Sequence, residues 1–368
     1  MKKVAHVGVD YHVKTITIAV YLSDEKRFLE TTHLSNDDKV ITKHIKKLSQ
    51  HFDLRICYEA SGSGYTFQRK MRALGIPCDV IAPSLAPRKP GERRKNDVRD
   101  AKRLAQHYAH GLLTLIHPPT EEEESVRSLV RCRFAFKEAV KRVKQQINAR
   151  LLSQDHFWKR SKWTYHHRLW LRAITLPSSH LQLVLQEFLA HLDYLESRLH
   201  YLEQQIEQLA SAAIYAPSVN KLRALRGIGT LTAMVLIAEI TDFRRFASPR
   251  ALMAFIGLIP GEDSSDGRRK PGSITKSGNR RCRTLLVEAA QHYARKPCVS
   301  YALKQNLSRV AAPVSALAVN CMQRLHKRYW FLVCKGKMRQ KAIVAVAREL
   351  VGFIWALMHE PAEAVAAA

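Results

Sequence analysis

Three consecutive β-branched segments open the chain, and this run constrains the fold more than any other feature. The segments are Val4–Asp10, Thr15–Val20 and Phe28–Leu34, separated by polar turns. Beyond them helix and strand alternate, with a predicted helix near Asp37–His51, a strand at Leu54–Tyr58, a helix after Gly64, a strand at Cys78–Ala82 and a helix from about Asp97. Three strands followed by alternating helices and strands predict a mixed α/β sheet within a first domain, residues 1–118.

The middle of the chain predicts two long helices, near residues 121–153 and 181–213. The second carries apolar residues at spacings of three and four, as in Leu192, Leu195 and Leu199. This spacing makes an apolar stripe, so the two helices are expected to pair as an antiparallel coiled-coil stalk over residues 119–215. Packing is the stripe's expected role. A third domain, residues 216–360, is predicted to be mostly helical, broken by a Gly/Ser/basic loop at 260–279.

The chain carries 60 Lys and Arg against 32 Asp and Glu among 368 residues, giving a net charge of +28 and an isoelectric point near 10.1. Such an excess attracts polyanions, among which nucleic acid is the commonest. A basic membrane-surface protein is the alternative, but no long Lys/Arg-rich amphipathic helix with an aromatic face is present.

Several other protein classes are disfavoured. The longest apolar stretch, residues 342–358, is interrupted by Arg348 and Glu349, so no transmembrane helix is expected. The N-terminus lacks the apolar core of a signal peptide. Seven cysteines include no CxxC pair, which argues against a disulfide framework or a cysteine zinc site. The expected location is a reducing cytoplasm.

Four carboxylates fall where strands end or helices begin. Asp10 ends the first strand, Glu59 ends a later one, and Asp97 and Asp100 share one helix face. Carboxylate oxygens suit Mg²⁺, and a cluster of them can hold two ions about 4 Å apart for phosphodiester cleavage. Each residue taken alone is better explained as a turn residue or a helix cap. The ordered set in a very basic chain favours a metal centre.

Two glycines near residue 228 predict a turn between helices. Gly227 and Gly229 permit a tight helix-hairpin-helix connection, and the backbone N–H groups of the next helix could hold a nucleic-acid phosphate. Taken alone, a GxG between helices is more often a plain connector. The segment Arg324–Lys341 mixes cations with aromatic residues. It fits phosphate contact with base stacking, or core aromatics beside a wet surface.

The ordered motifs VGVDYH, CYEASGSGY and KNDVRDAKRLA resemble the DEDD, RuvC-like (RNase H-type) domain of the IS110 insertion-sequence transposases, in particular their IS1111 subgroup. The resemblance implies that Asp10, Glu59, Asp97 and Asp100 are catalytic metal ligands for Mg²⁺, with two ions and Mn²⁺ able to substitute. Asn96 stands where the family often has Thr or Ser. Lys95 matches a basic residue of the family, and the basic loop around it is expected to contact nucleic acid through Arg88, Lys89, Arg93, Arg94 and Lys95.

The segment from Phe255 to Arg283 is similar to the C-terminal transposase domain of the same family, whose pattern includes GLxP, SSG and GxITKxGN. The match implies that Ser265, with Ser264 second, is the nucleophile, although Asp266 replaces the usual glycine. A serine hydroxyl needs activation by a base or a metal. The cations expected to neutralise phosphate here are Lys270, Lys276, Arg280, Arg281 and Arg283. Without the match, a solvated basic loop would be favoured.

The resemblance further implies an RNA-guided serine recombinase that transfers DNA strands. Its expected partners are DNA, at the element ends and the target, a noncoding guide RNA, and a homodimer that assembles to a tetramer; no membrane partner is expected. A cytoplasmic, nucleoid-associated bacterial location follows. The alternatives are a metal-dependent junction-resolving endonuclease with water as nucleophile, and a basic nucleic-acid scaffold with a degenerate site.

Overall fold

The computed structural model describes residues 2–60, 64–82, 96–265 and 268–360, and for residues 262–271 the backbone alone. The chain divides into two compact units, Met1–Thr120 and Glu121–Ala368. The first is a mixed α/β unit built on one sheet, whereas the second is mostly helical. This agrees with the α/β-plus-α class expected from the sequence.

The first unit contains a six-stranded mixed sheet in the order β3-β2-β1-β4-β5-β6. The strands are β1 (Lys3–Tyr11), β2 (Thr15–Leu22), β3 (Arg27–Ser35), β4 (Phe52–Glu59), β5 (Cys78–Ile81) and β6 (Leu115–Ile116). β1 to β3 form an antiparallel meander, β1, β4 and β5 are parallel, and β6 returns antiparallel. The predicted strands are confirmed, and β6 is an addition. Its two residues are too few for a recognisable period.

Helices cover both faces of this sheet. α1 (Asp38–His51) and α2 (Thr66–Ala73) pack on one face, where Ile45 and Phe67 join a core with Val7 and Ile56. α3 (Asp97–Ala109) packs on the other, where Leu104 meets Cys57 and Ile81. Because successive strand residues point to opposite faces, even-numbered residues of β1 and odd-numbered residues of β4 face α3.

The second unit begins with the two long helices expected from the sequence, α4 (Glu121–Ser153) and α6 (Ser179–Ala210), joined through α5 (Tyr165–Ala173). Ion pairs join Arg133 to Glu203 and Lys144 to Glu196, and the Arg150 guanidinium lies 4.0 Å from the ring centre of Phe188. Since partner numbers fall along α6 as they rise along α4, the helices run antiparallel. Their shared core includes Val143, Ile147 and Leu192.

Seven further helices complete the unit: α7 (Ala216–Arg223), α8 (Thr230–Ile240), α9 (Pro249–Ile256), α10 (Arg280–Ala290), α11 (Tyr301–Leu307), α12 (Ala312–Cys334) and α13 (Arg339–His359). They enclose one core in which α8 is buried from Ala233 to its end. α13 is long and apolar enough to cross a membrane by length and composition. In this fold, however, its apolar residues such as Val346, Leu350 and Ile354 are buried in that core.

The Gly/Ser/basic segment after α9 was expected to be a loop over residues 260–279, and this expectation is wrong for most of its length. It forms a β-hairpin of β7 (Pro260–Ser265) and β8 (Arg268–Ile274), with Ser265 paired to Arg268. In the sequence, the dipeptide Asp266-Gly267 separates these two paired residues. Asp-Gly is typical of two-residue hairpin connections, so the sequence contained a hairpin signal in spite of its polar composition.

Candidate active site

The sheet topology brings Asp10 and Glu59 to neighbouring strand ends. β1 and β4 are parallel, and Val9 lies opposite Tyr58, so the next residue on each strand is one of the two acids. Val9 and Tyr58 face the α1/α2 core. Side-chain alternation therefore directs both Asp10 and Glu59 to the opposite face, beneath α3. Both are half-buried.

α3 approaches this face closely because β1 carries a glycine there. A Cβ added to Gly8 would lie 2.2 Å from the carbonyl oxygen of Ala101 and 2.3 Å from the backbone nitrogen of Ala105. Two small helix residues thus rest directly on a strand residue without a side chain. This contact places the first turn of α3 over the end of β1.

Two acidic residues occupy that first turn. Asn96 is the N-cap, and its side chain accepts a hydrogen bond from the backbone N–H of Val98 at 2.9 Å. The capping role considered for Asp97 is therefore filled by its neighbour. Asp97 and Asp100 remain available to face the strand, and Asp100 also pairs with Arg103 at 2.7 Å.

A histidine joins the acids. The Nε2 atom of His12 lies 3.3 Å from an oxygen of Asp10 and 3.6 Å from an oxygen of Asp97. One ligand atom from each of these three residues lies within 4.8 Å of the other two. His12 was not predicted, although it stands two residues after Asp10 in the VGVDYH motif. A histidine two residues beyond a strand-end aspartate was the available signal.

The electrostatics of the cluster centre on Asp10. Burial raises the pKa of Asp10, and the negative charges of Asp97 and Asp100 raise it further, while the contact with His12 acts in the opposite direction. The charged carboxylates of Asp97 and Asp100 therefore repel that of Asp10. A bound cation would relieve both the desolvation and the repulsion.

The structure thus brings three of the four predicted acids, Asp10, Asp97 and Asp100, to one location, and puts Glu59 on the adjacent strand end. Among the described residues, the group close enough to share one ion is Asp10, His12 and Asp97. Two carboxylates and an imidazole suit a divalent cation. Asp79, on β5, makes a different contact: it accepts a hydrogen bond from the Tyr108 hydroxyl at 2.6 Å.

The second candidate region is the hairpin of β7 and β8. Ser264 lies opposite Arg269 in the backbone register, one pair before the turn. The side chains of Ser264, Ser265 and Lys270 lie outside the described part of the chain. So do the predicted basic-loop contacts Arg88, Lys89, Arg93, Arg94 and Lys95.

The base of the hairpin is held rigidly against α9. Gly257 ends α9 with a φ of 76°, and a Cβ there would lie 2.1 Å from the carbonyl oxygen of Ser277. Gly278, with a φ of 108°, makes the reciprocal close approach to the carbonyl oxygen of Phe255 at 2.1 Å. The Asn279 backbone N–H donates to that same carbonyl at 3.1 Å. Only glycine fits these two positions, which are the glycine of GLxP and the second glycine of GxITKxGN.

A buried carboxylate anchors the same segment to two helices. Glu239, near the end of α8, accepts two hydrogen bonds of 2.9 Å from the Arg131 guanidinium on α4. It also accepts one of 2.8 Å from the Asn279 side chain, whose other atom caps α10. Arg281 lies 3.8 Å away. Glu239 was not predicted, because it reads as one polar residue inside an apolar helix.

Arg131 holds the Glu239 carboxylate in its charged form. Burial alone raises the pKa of Glu239, but the hydrogen bonds and charge of Arg131, assisted by Asn279 and Arg281, together hold that pKa below its usual value. The side chain of Glu239 is 1% exposed. A buried acid kept ionised by two helices is therefore a fixed anchor for the hairpin base.

The predicted helix-hairpin-helix turn lies between α7 and α8. Gly227 has a φ of 85°, and an added Cβ would lie 2.7 Å from the carbonyl oxygen of Ala289, so the turn packs on α10. Gly229 is the N-cap of α8. This geometry suits a compact connector, and phosphate binding at the helix start stays a prediction.

The remaining predicted cations differ in exposure and in the contacts that they make. Lys276 and Arg280 are exposed. Arg281 contacts Glu239, while Arg283 donates to the carbonyl of Ile256 at 2.8 Å. In the segment Arg324–Lys341, Tyr329 is buried, whereas the rings of Trp330 and Phe331 are about half exposed. That segment is therefore partly core and partly surface.

Comparisons with known proteins address the whole chain. The DEDD transposase model of the IS110 family matches residues 7–154, and the model of the IS116/IS110/IS902 transposase family matches residues 219–304. A Sinorhizobium fredii protein named as a transposase, y4qE, is 37% identical over 97% of this chain and 89% of its own length. The transposase for insertion sequence element IS1533 of Leptospira borgpetersenii is 30% identical over 92% of this chain and 99% of its own. With both family models in order and relatives aligned along nearly its full length, the chain belongs to the IS110 family of insertion-sequence transposases.

Proposed function

We propose that this transposase cuts DNA strands at the ends of its insertion sequence and rejoins them to a target, using metal-binding acids and a serine nucleophile. The acids are the cluster at Asp10, and the serine belongs to the hairpin of β7 and β8. The observation that carries the proposal is the convergence of Asp10, His12 and Asp97, with Asp100 beside them, at one edge of the sheet. The charge of +28 supports a polyanionic substrate.

The acidic cluster is the proposed metal centre. Asp10 and Asp97 would hold divalent cations together with Glu59 and Asp100, and His12 would add a nitrogen ligand. Mg²⁺ is the proposed ion, two per site, with Mn²⁺ able to substitute. Such ions stabilise the charge on the attacking and leaving oxygens of a phosphodiester.

Ser265 is the proposed nucleophile. Its Oγ forms a bond to phosphorus as the bond between phosphorus and the strand's leaving oxygen breaks. The hydroxyl proton passes to a nearby base, and the leaving oxygen receives a proton. Attack on the phosphoserine by another strand's hydroxyl reverses these transfers and rejoins DNA without net hydrolysis. Ser264 is the second candidate.

The finer assignments from the resemblance are part of the same proposal. They are IS1111 subgroup membership, a noncoding guide RNA, a dimer that assembles to a tetramer, and a cytoplasmic, nucleoid-associated location. The antiparallel pair of α4 and α6 supports the proposed coiled-coil stalk. The high positive charge leaves capacity for RNA and DNA together.

A covalent-adduct assay tests the chemistry. The protein is incubated with labelled element-end DNA and Mg²⁺, then denatured, and DNA attached to protein is detected by electrophoresis. We expect an adduct that Ser265→Ala abolishes and the neighbouring control Ser264→Ala retains. Asp10→Ala should abolish both adduct and nicking.

Other outcomes point to the two alternatives. Nicking that survives Ser265→Ala but is lost in Asp10→Ala would identify a metal-dependent endonuclease that uses water, which the clustering of the acids within the first unit alone favours. DNA processing that survives both Asp10→Ala and Glu59→Ala would leave a nucleic-acid scaffold. Sequencing the RNA that co-purifies with the protein is a separate test of the proposed guide RNA. If no RNA co-purifies, only the guide-RNA part of the proposal is wrong.

A further inference from the structure

A cavity of about 620 Å³ lies at the base of the serine hairpin, within the second unit. Its walls come from the end of β8, from α12 and from α13 with the turn that precedes it. This volume is in the range of pockets that bind small organic ligands, about 300 to 1,000 Å³.

Four cations line the cavity: Arg328, Lys337, Lys341 and Arg348. No carboxylate lines it among the described residues. Arg328 pairs with Glu349 at 2.8 Å, but Lys337, Lys341 and Arg348 have no ion-pair partner in the described ranges. Like charges gathered around one concave surface repel one another, so the arrangement is stabilised by an anion.

The floor of the cavity is apolar. It is formed by Ile274 at the hairpin base and by Val344 and Ala345 on α13, with the fully buried Leu258 behind them. A free inorganic anion would contact the cations alone and leave the apolar floor exposed to water. A ligand with an anionic group and a flat, largely apolar ring uses both, and a nucleotide has this composition.

The hairpin connects the cavity to the proposed nucleophile. Ile274 pairs with Pro260 at one end, and Ser265 pairs with Arg268 at the other. Five strand steps from Pro260 to Ser265 span about 16 Å. A DNA strand attacked at the turn could therefore continue along the hairpin to the cavity.

We propose that this cavity is a subsite for one unpaired nucleotide of the DNA strand processed at the hairpin. Lys337, Lys341 and Arg348 contact its phosphates, and the base lies on the floor formed by Ile274, Val344 and Ala345. The assignment rests on the proposed function for its location beside the serine. It adds that binding is selective for single-stranded DNA.

The first test measures binding of fluorescein-labelled oligothymidylate to the full-length protein by anisotropy, over a range of salt concentrations. The variant K337Q/K341Q/R348Q is compared with K137Q/K141Q/R142Q, which removes the same charges from exposed positions of α4. We expect binding about tenfold weaker for the first variant, with a log–log salt slope smaller by about 2, since each single-strand phosphate contact adds roughly 0.7. We expect the control to change affinity less than twofold.

The second test addresses the floor. Wild type is expected to bind oligothymidylate several-fold more tightly than an abasic strand of equal length. Ala345→Trp, which fills the cavity, should remove that preference. Val344→Ser gives the same readout without added bulk, and thermal unfolding checks that each variant is folded.

Several results would overturn the subsite. They are equal weakening by the two triple variants, the absence of any preference for bases, or tighter binding of the matching RNA strand than of DNA. If any of these occurs while the Ser265 adduct still forms, the proposed function stands and only the subsite is wrong. If wild type neither binds DNA nor forms the adduct, both proposals fail.

Discussion

A single missing side chain shapes the acidic cluster. Gly8 lets the backbone of α3 rest on β1, and this contact sets how far Asp97 and Asp100 stand from Asp10. The glycine is not needed for a turn or a positive φ. Its role is to set the separation between a helix and a strand, and so to position the acids.

Gly8→Val is expected to disrupt the proposed metal centre although it replaces none of the predicted ligands. The added carbons would overlap Ala101 and Ala105, so α3 must move, at a cost of about 3 kcal/mol of unfolding free energy. Isothermal titration with Mn²⁺ should show the loss, and thermal unfolding should show a lower midpoint. Gly229→Ala is the control, because no atom lies within 4 Å of its added Cβ. Unchanged Mn²⁺ binding in Gly8→Val would contradict this role.

His12→Ala tests whether the histidine belongs to the metal site. Imidazole nitrogen is a better ligand for Mn²⁺ than for Mg²⁺. The variant should therefore weaken Mn²⁺ binding about tenfold and Mg²⁺ binding less, as read by titration calorimetry. His51→Ala, at the exposed end of α1, should change neither. Equal losses for the two ions would show that His12 acts by positioning Asp10.

At the scale of elements, the hairpin depends on helices distant from it in sequence. Glu239 on α8 binds Arg131 on α4 and Asn279 at the start of α10, so three elements meet just beyond β8. The α4 side of this contact belongs to one of the two long paired helices. Movement of α4 would therefore displace the base of the hairpin.

Removing this anchor should destabilise the second unit in a pH-dependent way. Glu239→Ala leaves Arg131 without its buried partner and is expected to cost about 3 kcal/mol. Because the pKa of Glu239 is lowered in the fold, its stabilisation is present above the unfolded-state pKa and is lost as pH falls through the folded-state pKa.

Urea unfolding at neutral and acidic pH measures this effect. The difference between wild type and Glu239→Gln should be largest near neutral pH and shrink toward acidic pH. Glu207→Gln, an exposed acid of α6, is the matched control. A difference that stays constant with pH would show that the Glu239 charge does not contribute.

How well each element was predicted depends on how local its signal is. Strand alternation and the helical period identified β1 to β5, α4 and α6, because each pattern repeats within its own segment. The hairpin was taken for a loop because its composition is polar, and its Asp-Gly signal covers only two residues. Glu239 could not be assigned, since its partners Arg131 and Asn279 are brought near only by the fold. His12 was missed although it stands two residues after Asp10, and only the fold brings Asp97 to it.

At the scale of the molecule, the four acids of the DEDD set belong to one unit. Asp10, Glu59, Asp97 and Asp100 all precede residue 121, and so does the core that supports them. The serine hairpin belongs to the other unit, with a separate core. The proposed metal binding and the proposed covalent attack thus belong to different parts of the chain.

The polypeptide 1–120 is therefore expected to fold alone and bind Mn²⁺ with an affinity within about threefold of the full chain. Its sheet is covered on both faces by its own helices. Circular dichroism should show cooperative unfolding, and titration calorimetry should show Mn²⁺ binding that Asp10→Ala removes. A fragment that folds but does not bind Mn²⁺ would mean that residues beyond 120 complete the centre.

Asn96 shows how such a protein can tolerate mutation. Its side-chain oxygen caps the start of α3, so neither Asp97 nor Asp100 is needed as the cap. Ser or Thr at position 96 could accept the same hydrogen bond, Thr somewhat less well than Asn or Ser. Such an exchange would keep the start of the helix intact and leave the carboxylates of Asp97 and Asp100 unchanged.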